Sequence, residues 1–116
     1  MNAMLEKLSG LGADVRGGLS RFMENEPLYV RCLKKFPAQA ELCTLHDDLA
    51  NQDYEAAVQS AHTMKGLTGN LSITPLYTRY SEIVARLRAG ETQGVGSIES
   101  EIARIQEEVC AVIREG

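Results

Sequence analysis

At 116 residues, 44% of them hydrophobic, the chain has enough apolar material for one core and too little for a large enzyme with a deep cleft. Its formal charge of −4, with acidic and basic residues interspersed, argues against binding to nucleic acid, which needs lysine and arginine to neutralise phosphates. No stretch approaches the ~20 apolar residues of a membrane span, and Met1 to Lys7 lacks the apolar segment and cleavage site of a secretory leader. A single cytoplasmic domain over residues 1–116, without membrane or nucleic-acid partners, is expected. Cys32, Cys43 and Cys110 are odd in number and scattered in spacing, which fits reduced thiols packed as small hydrophobes. Nothing in their spacing to His46 or His62 suggests a metal site.

The hydrophobic periodicity is helical nearly throughout, and no segment alternates with period two. Residues 1–13, with Met4, Leu5, Leu8 and Leu11 followed by Gly10 and Gly12, read as a short, frayed N-terminal extension. Asp14 caps a second short helix carrying Val15, Leu19 and Phe22. Asn25-Glu26-Pro27 is a strong helix start, from which an apolar stripe runs to about Asn51. Pro37 interrupts that stripe, predicting a kinked helix or two helices end to end. Asp53 caps a helix over about 53–71. Thr74 as cap and Pro75 in the first turn begin the next, which ends near Ala89-Gly90. Gly94-Val95-Gly96-Ser97 reads as the last turn. The final helix carries Ile98, Ile102, Ile105, Val109 and Val112 close to a heptad seam, which would fill the core or pair two chains; a monomer is expected. Long helices joined by short polar loops predict an all-α, antiparallel bundle with one or two short extra N-terminal helices.

The most informative stretch is Ala61-His62-Thr63-Met64-Lys65-Gly66-Leu67-Thr68-Gly69-Asn70. On a helical wheel over 53–71, Tyr54, Ala57, Ala61, Met64, Thr68 and Leu71 form one stripe, and His62 lies opposite. Within about 40° of His62 fall Glu55, Val58, Gly66 and Gly69, with Gln59 and Lys65 about 60° to either side. Each interior glycine costs a helix roughly 1 kcal/mol relative to alanine. Packing does not account for two of them on a solvent face, whereas clearance for a docking surface does. A neutral imidazole offers a lone pair for attack on phosphorus, and an ammonium one turn away at Lys65 would offset phosphoryl charge. Gln59 and Glu55, one and two turns before His62, are candidate docking residues. His46, beside Asp47 and Asp48 with no small residues around it, reads as a partly exposed histidine near a carboxylate. Tyr77 and Tyr80 with Arg79 and Arg86 suggest base stacking only weakly in an acidic chain with few aromatics.

Residues 61–70 resemble the signature of histidine-containing phosphotransfer (HPt) domains of multistep phosphorelays: a phosphorylated histidine, a lysine three on, and glycines four and seven on. His62, Lys65, Gly66 and Gly69 match these positions. Asn51 to Glu55 is similar to the family's polar entrance to the active helix, and Leu76 to Gly90 to its next helix. The likeness covers residues 14–90, and the final helix by pattern alone. It implies a four-helix bundle with His62 exposed midway along one helix. Phosphate would pass from a hybrid sensor kinase or a receiver aspartate to a response-regulator receiver, which supplies Mg²⁺, so that this chain carries no metal or cofactor. Two departures stand out. Ser72 occupies a position where a further glycine is common, and Val84 aligns with a carboxylate that some relatives use to hold the histidine ring. Glu82 or Ser81 would have to substitute for it.

No ATP-binding signature or glycine-rich phosphate loop is present, so autokinase activity is not expected. Two other functions compete: a protein-interaction bundle that uses the same cleared face without phosphate chemistry, and a small hydrolase with His62 as general base. The hydrolase would need a pocket of convergent polar groups, which a histidine on a convex bundle surface does not provide.

Overall fold

The computed structural model describes residues 2–116, which form seven helices and no strand. They are α1 (Ala3–Gly10), α2 (Val15–Arg21), α3 (Glu26–Glu41), α4 (Leu45–Ala50), α5 (Tyr54–Asn70), α6 (Thr74–Arg88) and α7 (Val95–Glu115). Four begin at side chains that accept an otherwise unpaired backbone N–H. Asn2 takes that of Leu5, Asp14 of Gly17, Asn25 of Leu28 and Asp53 of Ala56, at 3.0–3.2 Å. Among the described residues, no helix is long and apolar enough to cross a membrane.

Several boundaries differ from expectation. The break predicted at Pro37 falls instead at Leu42–Thr44, and α3 runs unbroken through the proline. The missing N–H of Pro37 costs one helical bond, but its ring is buried and extends the apolar face of Leu33, Phe36 and Ala40. The cap of α6 is Ile73, one residue before Thr74, while Pro75 sits in the first turn as expected. Gly94, at φ 82°, closes the last turn directly before α7, so that Val95 already lies buried in the first turn of that helix. Along α7 the buried positions end on Val109, Cys110 and Ile113, with Ile105 and Val112 only half-buried. A straight helix of 3.6 residues per turn drifts off a strict heptad seam in this way.

One core joins the elements. Tyr29, Leu33 and Phe36 of α3 meet Ala57, Ala61 and Met64 of α5, Leu76, Tyr80 and Ile83 of α6, and Ile102, Val109 and Ile113 of α7 in a single buried cluster. The small Ala57 and Ala61 give α5 a low-relief inner face. α6 is its principal neighbour, and α6 in turn packs on α7. Residues 2–13 are no loose extension: Met4, Leu5 and Leu8 are buried, and α1 packs against α7.

The α5–α6 connection fixes the end of the helix that carries His62. Ser72 N–H donates to Gly69 O (3.1 Å) and Ile73 N–H to Thr68 O (2.9 Å), the two bonds of a Schellman turn. Ser72 holds φ at 58°, the left-handed conformation in which glycine is usual. Its own carbonyl accepts from Asp14 N–H (2.9 Å), while the buried Tyr29 hydroxyl donates to Leu71 O (2.8 Å). The turn is thereby tied to both α2 and α3.

Candidate functional site

α5 exposes His62 on the face opposite Ala57, Ala61, Met64 and Thr68, as the wheel predicts. The predicted inner stripe fails only at Tyr54, which is 36% exposed, the first residue of the helix and outside the core cluster. Thr68 sits on the inner face because its hydroxyl is satisfied locally, donating to Met64 O at 2.8 Å.

His62, Lys65, Gly66 and Gly69 line one open groove of about 610 Å³, whose lining also includes Arg21 of α2 and Tyr77 of α6. Glu55 and Gln59 are exposed on earlier turns of α5 and are not part of its lining. Lys65 is half-buried. Among the described residues neither Lys65 nor Arg21 is in an ion pair, so both cationic heads are uncommitted. Asp14, the groove's one carboxylate, is engaged in capping α2.

The two glycines differ in what surrounds them. A Cβ built on Gly66 would meet nothing within 4 Å, so its lack of a side chain leaves open space beside His62. A Cβ on Gly69 would lie 2.8 Å from Cδ1 and 2.9 Å from Cε1 of Tyr77. The expectation that packing does not explain these glycines is therefore corrected for Gly69, whose bare Cα is the seat of the Tyr77 ring. Tyr77 is 39% exposed and forms part of the groove's wall.

Among the described residues no carboxylate holds the His62 ring. Val84 is buried, Ser81 Oγ donates to Tyr77 O (2.7 Å), and Glu82 pairs with Arg86 on its own helix at 3.8 Å. Neither Ser81 nor Glu82 substitutes for the missing group. The base-stacking candidates are dispersed as well. Tyr80 is buried with its hydroxyl on Gln106 (2.7 Å), and Arg79 is bound to Glu101 at 3.1 Å. His46 is exposed, and its carboxylate partner is Glu99 of α7 (Nδ1 to Oε2, 2.8 Å) rather than its neighbours in sequence. That hydrogen bond, reinforced by the Glu99 charge, raises the His46 pKa.

Burial pushes the Cys43 and Cys110 thiols up, away from the reactive thiolate. Among the described residues no three His, Cys, Asp or Glu side chains converge as metal ligands would. A second, more apolar groove of about 390 Å³ lies on another side of α5, where Met64 and Leu67 face Cys43 and Leu42, the last 81% exposed.

No family model, curated protein or solved structure matches the chain. Function is therefore argued from the groove itself. An exposed imidazole, two free cations and a cleared backbone suit attack on an incoming phosphoryl group. The groove is open, and among the described residues no second group is bonded to the His62 ring.

Proposed function

We propose that the chain is a histidine phosphotransfer module of a phosphorelay, with His62 as the carrier. In the forward step a ring nitrogen attacks the phosphorus of an aspartyl phosphate on a receiver domain. A P–N bond forms, the P–O bond breaks, and the receiver's carboxylate departs. The other ring nitrogen keeps its proton in the first-formed cation and then releases it to solvent. No general base is needed, because the attacking nitrogen of neutral imidazole carries no proton. Lys65 offsets the phosphoryl charge, and Gly66 admits the receiver's surface. Transfer onward is the same step in reverse, and ATP chemistry belongs to a sensor kinase elsewhere.

The observation that carries this reading is the combination of an exposed His62, an unpaired Lys65 one turn on and empty space above Gly66, all in one groove. The four long helices α3, α5, α6 and α7 would form the antiparallel four-helix bundle of such modules, with α1, α2 and α4 as short additions. The cytoplasm, where receivers and kinase domains work, is the matching compartment. A panel of receiver domains charged with acetyl phosphate tests the proposal. Wild-type protein should take up acid-labile, alkali-stable phosphate that maps to His62, and His62→Gln should lose it entirely. Label that persists elsewhere in the Gln variant overturns the assignment. The apolar groove beside the 81%-exposed Leu42 favours a second reading, a binding module without phosphate chemistry. In that case receivers would bind wild type and His62→Gln equally and label neither.

A further inference from the structure

Resting on the phosphocarrier reading, we infer that Arg21, on a different helix from His62, is a second cationic contact for the phosphoryl group. Arg21 ends α2, and its placement follows from three anchors. Asp14 N–H is bonded to Ser72 O at 2.9 Å, holding the start of α2 at the end of α5. Gly18 is bare where a Cβ would collide with the ring and hydroxyl of Tyr29, so α2 seats closely on α3. Tyr29 in turn donates to Leu71 O at 2.8 Å.

From the Asp14–Ser72 contact, Arg21 lies seven residues along α2 and Lys65 seven residues back along α5. At 1.5 Å per residue both are about 10 Å from the shared anchor. Both segments line the groove, so its two cations reach it together with His62 from two different helices. Arg21 is exposed and in no ion pair among the described residues, whereas Arg79, Arg86, Arg104 and Arg114 are all paired. Of the arginines it alone lines the groove, and Asp14, the only carboxylate there, is held at the helix cap. A guanidinium offers a planar fork of donors matched to phosphoryl oxygens, which the lysine's point charge does not. Lys65 and Arg21 together would grip the group from two helices and orient it without a third protein element.

The test uses the full chain phosphorylated chemically with potassium phosphoramidate, which needs no receiver. ³¹P NMR follows the second ionisation of the phosphoryl group on His62, and phospho-His46 in the same sample is the internal reference. A cation nearby holds that ionisation low. Arg21→Ala should raise its midpoint by about half a pH unit or more, and Arg21→Lys should restore part of the difference. Arg16→Ala, an exposed arginine of α2 outside the groove, should leave it unchanged, as should all three variants at phospho-His46. In parallel, Arg21→Ala should slow charging by an acetyl-phosphate-loaded receiver about tenfold. An unchanged phospho-His62 titration in Arg21→Ala overturns the Arg21 contact while leaving the carrier reading standing. Failure of receivers to charge wild-type His62 removes the carrier reading and the Arg21 proposal together.

Discussion

Gly66 and Gly69 look alike in the sequence but answer to different neighbours, and alanine substitution separates them. Gly66→Ala fills empty space in an exposed helix interior, so urea unfolding should show a gain of about 1 kcal/mol. Under the carrier reading the same methyl group should slow charging by a receiver, so that stability and transfer move in opposite directions. Gly69→Ala drives a methyl into Tyr77. Its overpacking cost of roughly 1–3 kcal/mol should outweigh the gain in helix propensity. The loss should shrink when Tyr77 is also made Ala. His46 supplies a pH signature. Its folded pKa is raised by Glu99, so the pair's contribution to stability is fully present below the unfolded value of 6.5. It fades as pH rises through the higher folded value. The stability difference between wild type and Glu99→Gln should therefore narrow as pH rises above 6.5, with the His46 NMR titration falling toward its ordinary midpoint in the variant. The exposure of His62 was legible from the wheel alone, because periodicity decides which way a helical side chain points. Arg21 and Tyr77 were not, since they reach the groove from helices whose docking depends on long-range contacts.

Helix starts were the most readable elements, and connections the least. Asn25, Asp14 and Asp53 announce themselves because capping is local chemistry. The break at Leu42–Thr44 and the early start of α7 depend on which apolar side chains find room in the core, as Pro37 and Val95 do. The decisive connection is the α5–α6 turn, where a serine accepts a conformation suited to glycine and two partners from elsewhere in the fold, Asp14 and Tyr29, hold its backbone. Tyr29→Phe should report its worth. Removing the hydroxyl leaves Leu71 O without that buried donor, and chemical denaturation should show a loss of about 1–2 kcal/mol. Burial raises the Tyr29 pKa to about 12, so the phenol stays protonated and the bond intact across the ordinary pH range.

Across the molecule, a single core reaches from α1 to α7, and residues 2–13 contribute to it instead of trailing from it. Leu8 is fully buried, so Leu8→Ala should cost about 2–5 kcal/mol in thermal or urea unfolding, comparable to a substitution in α5 or α6. The sequence disguised this, because two glycines after a short apolar run resemble a fraying end until α7 is placed beside it. The groove at His62 has walls of unequal build. One is α5, seventeen residues long and bedded in the core. The other is α2, seven residues with two glycines, followed by Met23 and Glu24 in strained left-handed backbone, Met23 being 90% exposed. Opening free energies are lowest where few apolar contacts hold a segment. Under the carrier reading, His62 would keep its station on the better-bedded wall, while the α2 wall with Arg21 would be the one to yield to partners of different outline.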